Sequence, residues 1–371
     1  VKLGFACSWD PVPEPTWSYT PWNLREALRS RAEVVDLGVT HSSLVRLGLK
    51  AAHARRVNGQ WVSMWRHSRA ARFYEESVLR KACSSLAPDA VLQIQDLAVL
   101  SRPYFLVQDL SYDVLLELLA REGSLTHFPS LSADSVQWSA DRQRRVYASA
   151  AGVFAMSRWF ADHLVSVTGL PASRVHVVNP GISALSGAVS DDVFARRVSS
   201  RRKLLMVGKD FHTKGGDQVV KALSVLRRDV DPAITLTVVG PSAWPLPGEV
   251  PDGVSFLGRL PVSELADLYD AHDLFVLPSR FEGFGIAFVE ALSRGLPCVG
   301  RDAFAMPEII SAGRTGELVR SEEPEDLAKV IASVLADDSI YQHTWDAREE
   351  TARHYSWGRA ADDVVRIAGQ G

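Results

Sequence analysis

The chain has little cysteine, no long apolar run and no surplus of either charge. Its three cysteines, Cys7, Cys83 and Cys298, are far apart and odd in number. That excludes a disulfide framework or a cysteine-based zinc site and suits a reducing compartment. No apolar stretch approaches the ~20 residues of a membrane span. The opening residues, Val1-Lys2-Leu3-Gly4-Phe5-Ala6, read as a strand rather than as the apolar segment of a signal peptide. A formal net charge of −3 over 371 residues argues against nucleic acid as the main partner. There is no Asn-x-Ser/Thr sequon and no low-complexity tract. These absences lead to the expectation of a soluble, cytoplasmic protein. What remains is ordinary globular composition, 46% hydrophobic and 23% charged, in a chain longer than one core supports, so two domains are expected.

Short apolar runs recur with helical stretches between them. In the first half they are Lys2–Ala6, Val34–Leu37, Ala90–Ile94, Tyr104–Val107, Gly152–Met156 and Val175–Val178. In the second half they are Leu204–Val207, Ile234–Val239, Val254–Leu257, Leu274–Leu277, Cys298–Gly300 and Glu317–Val319. The runs are continuous rather than alternating, as parallel strands covered on both faces require. Two such series predict an α/β protein of two doubly wound, Rossmann-like domains, with ligands in a cleft at the carboxyl ends of the strands. The expected boundaries are 1–185 for the first domain, 186–200 for a Ser/Ala/Gly-rich linker, and 201–354 for the second domain. Residues 355–371 form a terminal helix.

The most informative segment is Glu282-Gly283-Phe284-Gly285-Ile286-Ala287-Phe288-Val289-Glu290, which follows the strand Leu274–Leu277 and precedes Gly295-Leu296-Pro297. Gly283 and Gly285 allow close backbone approach. The helix that follows then offers the amides of Ile286 and Ala287 to an anion such as a diphosphate. Glu282 sits beside that anion site, and Glu290 lies about 12 Å further on if the spacing is helical. One carboxylate is thus placed for sugar hydroxyls and the other for a ribose. Two solvated surface carboxylates, or the paired carboxylates of a glycosidase, are the alternative readings. A second loop, Gly208-Lys209-Asp210-Phe211-His212-Thr213-Lys214-Gly215-Gly216, joins a strand to a helix in the manner of a phosphate site but lacks P-loop spacing.

These residues resemble the Glu-x7-Glu signature of retaining glycosyltransferases of the GT-B fold, most closely family 4 (glycosyl transferases group 1). The resemblance is dense in the C-terminal half and sparse in the N-terminal half. It implies transfer of a sugar from a nucleotide-sugar donor, UDP-sugar favoured and GDP-sugar open, to a hydroxyl acceptor by front-face attack. It implies that Lys209 and Lys214 hold the donor diphosphate, with Lys209 where Arg is more usual. Glu282 and the Gly283–Gly285 turn hold the donor sugar, and Glu290 the ribose. Gly258 and Arg259 resemble the base-binding turn. Near the N-terminus Ser18 and Thr20 resemble a turn that contacts donor or acceptor, with Tyr19 where glycine is usual. Asp109 occupies the region of a His-Asp pair, with Gln108 in the histidine place and His127 as a downstream substitute. Residues 355–371 resemble the closing helix that crosses back to the N-terminal, acceptor-binding domain.

No cofactor and no metal are expected. Asp229-Val230-Asp231 spells a D-x-D but follows a helix and precedes Pro232, so it reads as a turn. Residues 44–81 resist the template. They hold nine Lys/Arg against Glu75 and Glu76, with Trp61 and Trp65 between them. That stretch is either a docking surface for an anionic membrane or acceptor, or a solvated helix face with two core tryptophans. An anionic or lipid-linked acceptor and peripheral contact at the inner membrane face follow from the first of these. The rival functions are a GT-B nucleotide-sugar epimerase or hydrolase, a degenerate non-catalytic partner subunit and, more remotely, a PLP-dependent phosphorylase.

Overall fold

The computed structural model describes every residue except 1, 58–59, 124, 126–127, 129–130, 183–187 and 370–371, so His127 lies outside the described residues. The chain divides into two compact units, Val1–Gly181 with Trp357–Gly371, and Ile182–Ser356.

The first unit contains strands β1 (Lys2–Ala6), β2 (Glu33–Asp36), β3 (Ala54–Val57), β4 (Gln60–Ser63), β5 (Ala90–Ile94), β6 (Tyr104–Gln108), β7 (Gly152–Ala155) and β8 (Val175–Val177). Its helices are α1 (Thr20–Arg29), α2 (Ser43–Ala52), α3 (Arg69–Leu86), α4 (Tyr112–Glu122), α5 (Ala133–Ser149) and α6 (Arg158–Ser166). Six strands form one parallel sheet in the order β2-β1-β5-β6-β7-β8. β5 and β6 are buried along their whole length, which is why they are apolar but for Gln93, whose side chain bonds to the Ala98 backbone, and the terminal Gln108. Gln108 Nε2 ends β6 by donating to Gln95 Oε1 at 3.2 Å.

The second unit contains α7 (Asp191–Ser199), β9 (Lys203–Val207), α8 (Gly216–Asp229), β10 (Thr235–Val239), β11 (Val254–Gly258), α9 (Leu265–Ala271) and β12 (Leu274–Leu277). It continues through α10 (Ile286–Ser293), β13 (Cys298–Arg301), α11 (Met306–Ile309), β14 (Gly316–Val319), α12 (Pro324–Ala336) and α13 (Asp338–His354). All six strands are parallel, in the order β11-β10-β9-β12-β13-β14. The last helix, α14 (Trp357–Ala368), returns to the first unit. It packs on α1, where Arg31 Nε meets Asp362 Oδ1 at 2.5 Å, and Arg359 donates to the Asn179 carbonyl at 2.6 Å.

Two local readings of the sequence are corrected. The stretch read as linker holds α7, because Ser190 caps it and Arg197 is drawn wholly into the second unit. The stretch 44–81 contains a β3–β4 hairpin that the sequence did not announce. Of its two tryptophans only Trp65 is core (5% exposed), while Trp61 is 74% exposed.

Arg197 is an unusual core residue. Its guanidinium donates to the carbonyls of His272 at 2.8 Å, Arg294 at 2.7 Å and Tyr269, and burial pulls its pKa down to about 10. It thereby satisfies carbonyls at the ends of α9 and α10, the two helices that flank the site described next. Each buried acceptor stripped of its donor costs about 1–3 kcal/mol. Arg197→Met is expected to lower the stability of the second unit by about 3 kcal/mol or more, read as a shifted urea midpoint. An unchanged midpoint would show that the guanidinium is replaceable.

Candidate active site

In the second unit the strand order reverses between β9 and β12, the first and fourth strands of that sheet. Loops leaving these neighbours at their carboxyl ends turn to opposite sides and leave a crevice. The two loops at that point are 208–215 and 278–285, which hold Lys209, Lys214, Glu282, Gly283, Phe284 and Gly285.

Their approach depends on Gly215. It has φ 75°, caps α8, and a Cβ there would stand 2.6 Å from the Pro278 carbonyl oxygen. With the two loops this close, the Arg280 amide donates to the Thr213 carbonyl at 2.8 Å. The Arg280 side chain reaches back to the His212 carbonyl at 2.7 Å and grips Asp217, in the first turn of α8, at 2.7 and 3.1 Å. Burial pushes the Asp217 carboxyl upward, but the Arg280 guanidinium outweighs it and holds the group below the ordinary carboxylate range. Arg301, buried at the end of β13, donates to the Pro278 carbonyl at 3.2 Å and to Gln218 at 3.1 Å.

Across this frame Lys214 Nζ meets Glu282 Oε2 at 2.7 Å, and Ser279 Oγ donates to the same oxygen at 3.2 Å. Lys209 is exposed on the first loop and makes no ion pair with the described residues. Gly285, with φ 100°, caps α10 so that the amides of Ile286 and Ala287 open the helix. A Cβ at Gly285 would lie 2.8 Å from the Phe288 ring. Gly283 and Phe284 are buried, and the Phe284 ring lies 5.9 Å from that of Tyr355, so this residue offers only its backbone to the turn.

Glu290 is 5% exposed on α10 and accepts a hydrogen bond of 2.9 Å from the Tyr269 hydroxyl on α9. Burial, then the neighbouring Glu290 carboxylate, holds the Tyr269 phenol well above its ordinary pKa, so it stays a donor. Gly258, φ 67°, ends β11, and Arg259 after it is exposed. They stand at the same sheet edge as the two loops, two strands from β9 or about 10 Å.

The remaining candidates belong to the first unit. Trp17, Ser18 and Tyr19 have φ of 42°, 56° and 65°. Tyr19 therefore adopts the left-handed backbone that glycine would supply, at a cost of about 1–2 kcal/mol per such residue. Ser18 is exposed and Thr20 is buried at the start of α1. Asp109 follows β6 and accepts from Gln95 Nε2 at 3.4 Å.

Sequence reasoning missed Arg280, Asp217, Tyr269 and Arg301. Arg280 was within view, two residues before Glu282, but a lone arginine in a loop gives no sign of its partners. The D-x-D aspartates are engaged elsewhere, Asp229 with Arg228 and Asp231 with Arg202. Among the described residues no group of three His, Cys, Asp or Glu side chains is placed to hold a metal ion.

Residues 192–352 match the family model described as glycosyl transferases group 1. A D-inositol 3-phosphate glycosyltransferase 1 of Catenulispora acidiphila is 30% identical over 246 residues, which are 60% of this chain and 58% of that protein. The chain thus spans rather more than half the length of this curated relative. Sucrose-phosphate synthase from Thermosynechococcus elongatus superposes with a TM-score of 0.71 at 16% identity, over 100% of this chain and 99% of that one. Anabaena Alr3699/HepE in complex with UDP-glucose does so with 0.66 at 17%, over 100% of each. The fold is that of the GT-B glycosyltransferases, and the sequence resemblance is to group 1.

Tyr269→Phe removes one donor from a buried carboxylate. Hydrogen bonds to charged groups contribute about 1.5–3 kcal/mol, so a loss of that order is expected in urea unfolding. A variant as stable as the parent would mean that the phenol does not hold Glu290.

Proposed function

We propose that this chain, a group 1 sequence through residues 192–352, is a retaining glycosyltransferase that moves a sugar from a nucleotide-sugar donor to a hydroxyl acceptor. The observation that carries this reading is the Lys214–Glu282 pair at the point where the strand order reverses, beside the opening of α10. A diphosphate at that opening accepts from the Ile286 and Ala287 amides and draws Lys214 toward itself, with Lys209 alongside. Glu282, released in part from Lys214, then accepts from a donor-sugar hydroxyl. Glu290, whose carboxylate is oriented by Tyr269, accepts from the ribose. Gly258 and Arg259 face the base.

In the transfer, the bond from the anomeric carbon to the diphosphate oxygen breaks and that oxygen keeps the electron pair. The acceptor oxygen bonds to the anomeric carbon on the same face, and its proton passes to the departing phosphate. Negative charge grows on the diphosphate, so Lys209, Lys214 and the helix amides act most strongly in the transition state. Ser18, Thr20 and Asp109, all in the first unit, are assigned ligand contacts on the strength of the sequence resemblance.

UDP-sugar is the donor favoured here, supported by the UDP-glucose complex of the Anabaena protein. The reading includes no metal: both carboxylates of the D-x-D are held by arginines, and Lys209 and Lys214 supply positive charge for the diphosphate. A cytoplasmic setting is supported by three buried, unpaired cysteines. No helix among the described residues is long and apolar enough to cross a membrane.

The test is a thermal-shift series with UDP, GDP, ADP and dTDP without added metal. A nucleotide at about 100 times its Kd adds ~2.7 kcal/mol of stability, a shift of several degrees. Glu290→Ala is expected to weaken UDP binding roughly tenfold to hundredfold, the equivalent of one charge-assisted hydrogen bond. Lys214→Gln is expected to lower kcat more than it raises KM. Unchanged UDP affinity in Glu290→Ala would remove its ribose role, and sugar release without an acceptor would replace transfer by hydrolysis.

A further inference from the structure

Helix α2 is turned the wrong way for a helix that covers a domain. Not one of its residues is buried. Val45 and Leu49 are half-buried beneath it, whereas Leu44 is 83% exposed and Leu47 66% exposed. Positions 44, 47, 48 and 51 share one helical face, and in this chain they are Leu, Leu, Gly and Ala. The outward arc is therefore apolar. The β3–β4 hairpin is tied to the end of this helix, with Ser63 Oγ donating to the Lys50 carbonyl at 3.0 Å. On that hairpin Trp61, 74% exposed, pairs across from Arg56.

Lys50, Arg55 and Arg56 are exposed around these apolar side chains, and Arg46 is half-buried on the same helix. No carboxylate occurs between Asp36 and Glu75. Glu75 itself is 2% exposed and already bonded to Ser8 Oγ at 2.7 Å, with Arg72 at 3.5 Å. The segment that forms the patch thus contributes cations and no carboxylate, on a chain whose net charge is −3.

We propose that α2 and the β3–β4 hairpin form a docking surface for an anionic lipid bilayer. Leu44, Leu47 and Trp61 enter the headgroup boundary, while Lys50, Arg55 and Arg56 meet lipid phosphates. A bilayer matches both halves of the patch at once, since it presents hydrocarbon beneath a layer of negative charge. Tryptophan suits that boundary because its ring is apolar and its N–H finds a polar partner there. The surface lies on the membrane and does not cross it. The proposal stands on the first unit alone and is independent of the transferase reading.

The experiment is co-sedimentation of the whole chain with vesicles of phosphatidylcholine, and with vesicles of phosphatidylcholine mixed with phosphatidylglycerol. Binding is expected only to the second, and is expected to fall when salt rises from about 0.1 M to about 1 M, as the Debye length shrinks from ~10 to ~3 Å. Arg55→Gln with Arg56→Gln is expected to weaken it roughly twentyfold to thirtyfold, about fivefold for each cation. Leu44→Ser with Leu47→Ser is expected to weaken it at least tenfold. All four positions are solvent-facing, and urea unfolding confirms that the variants fold. Vesicles should shift the parent's tryptophan emission to the blue, a shift lost in Trp61→Phe. Absence of binding, equal binding to neutral vesicles, or indifference to the leucine changes would overturn the proposal. Self-association without lipid, abolished by the same leucine changes, would assign the face to a second copy of this chain instead.

Discussion

Everything placed at the candidate site depends on one topological constraint, the reversal of strand order between β9 and β12. Neighbouring parallel strands normally send their connections to the same side and close the gap between them. Where the order reverses, the gap stays open at the carboxyl ends. The loop after β9 brings Lys214 to it and the loop after β12 brings Glu282, so residues 68 positions apart meet at 2.7 Å. Had either strand stood one place over, the ammonium and the carboxylate would lie ~5 Å further apart.

Holding two polar loops open at such a gap requires that their backbone groups be satisfied without filling it. The chain does this with arginines that reach in from behind. Arg280 bonds one loop to the other through the His212 carbonyl and to the first turn of α8 through Asp217. Arg301 supports the Pro278 carbonyl from below, and Arg197 ties off the ends of α9 and α10. A guanidinium suits this work because it presents five donors in a fixed plane. The cost of burying it is visible in Arg197 and Arg301, whose pKa values burial lowers. Glu290 is held in the same spirit, its carboxylate directed by a phenol that burial keeps protonated.

Much of the fold was legible because buried parallel strands must be apolar along their whole length. Each of the twelve apolar runs became a strand of the two sheets, with ends moved by no more than one residue. The β3–β4 hairpin was hidden for the opposite reason. Its strands, Ala54–Val57 and Gln60–Ser63, expose Arg55, Arg56 and Trp61, and nothing in their pattern distinguishes a cationic hairpin from a cationic helix. Helix α7 was hidden because its flanking residues are Ser, Ala and Gly, while the arginine that anchors it reads from sequence as a surface charge.

By itself the sequence determined the doubly wound class, the two loops bearing Lys214 and Glu282, the helix bearing Glu290, and the glycines that cap the helices after those loops. These are properties of short segments, set by residue spacing and by backbone angles only glycine adopts cheaply. Only the tertiary structure decided which partners those side chains have: Lys214 with Glu282, Tyr269 with Glu290, Arg280 with Asp217. It also decided that Trp65 is core and Trp61 is surface, and that α2 turns Leu44 and Leu47 outward. Partnership and exposure are set by residues distant in the chain. Local pattern states what a side chain is able to do, and packing alone selects what it meets.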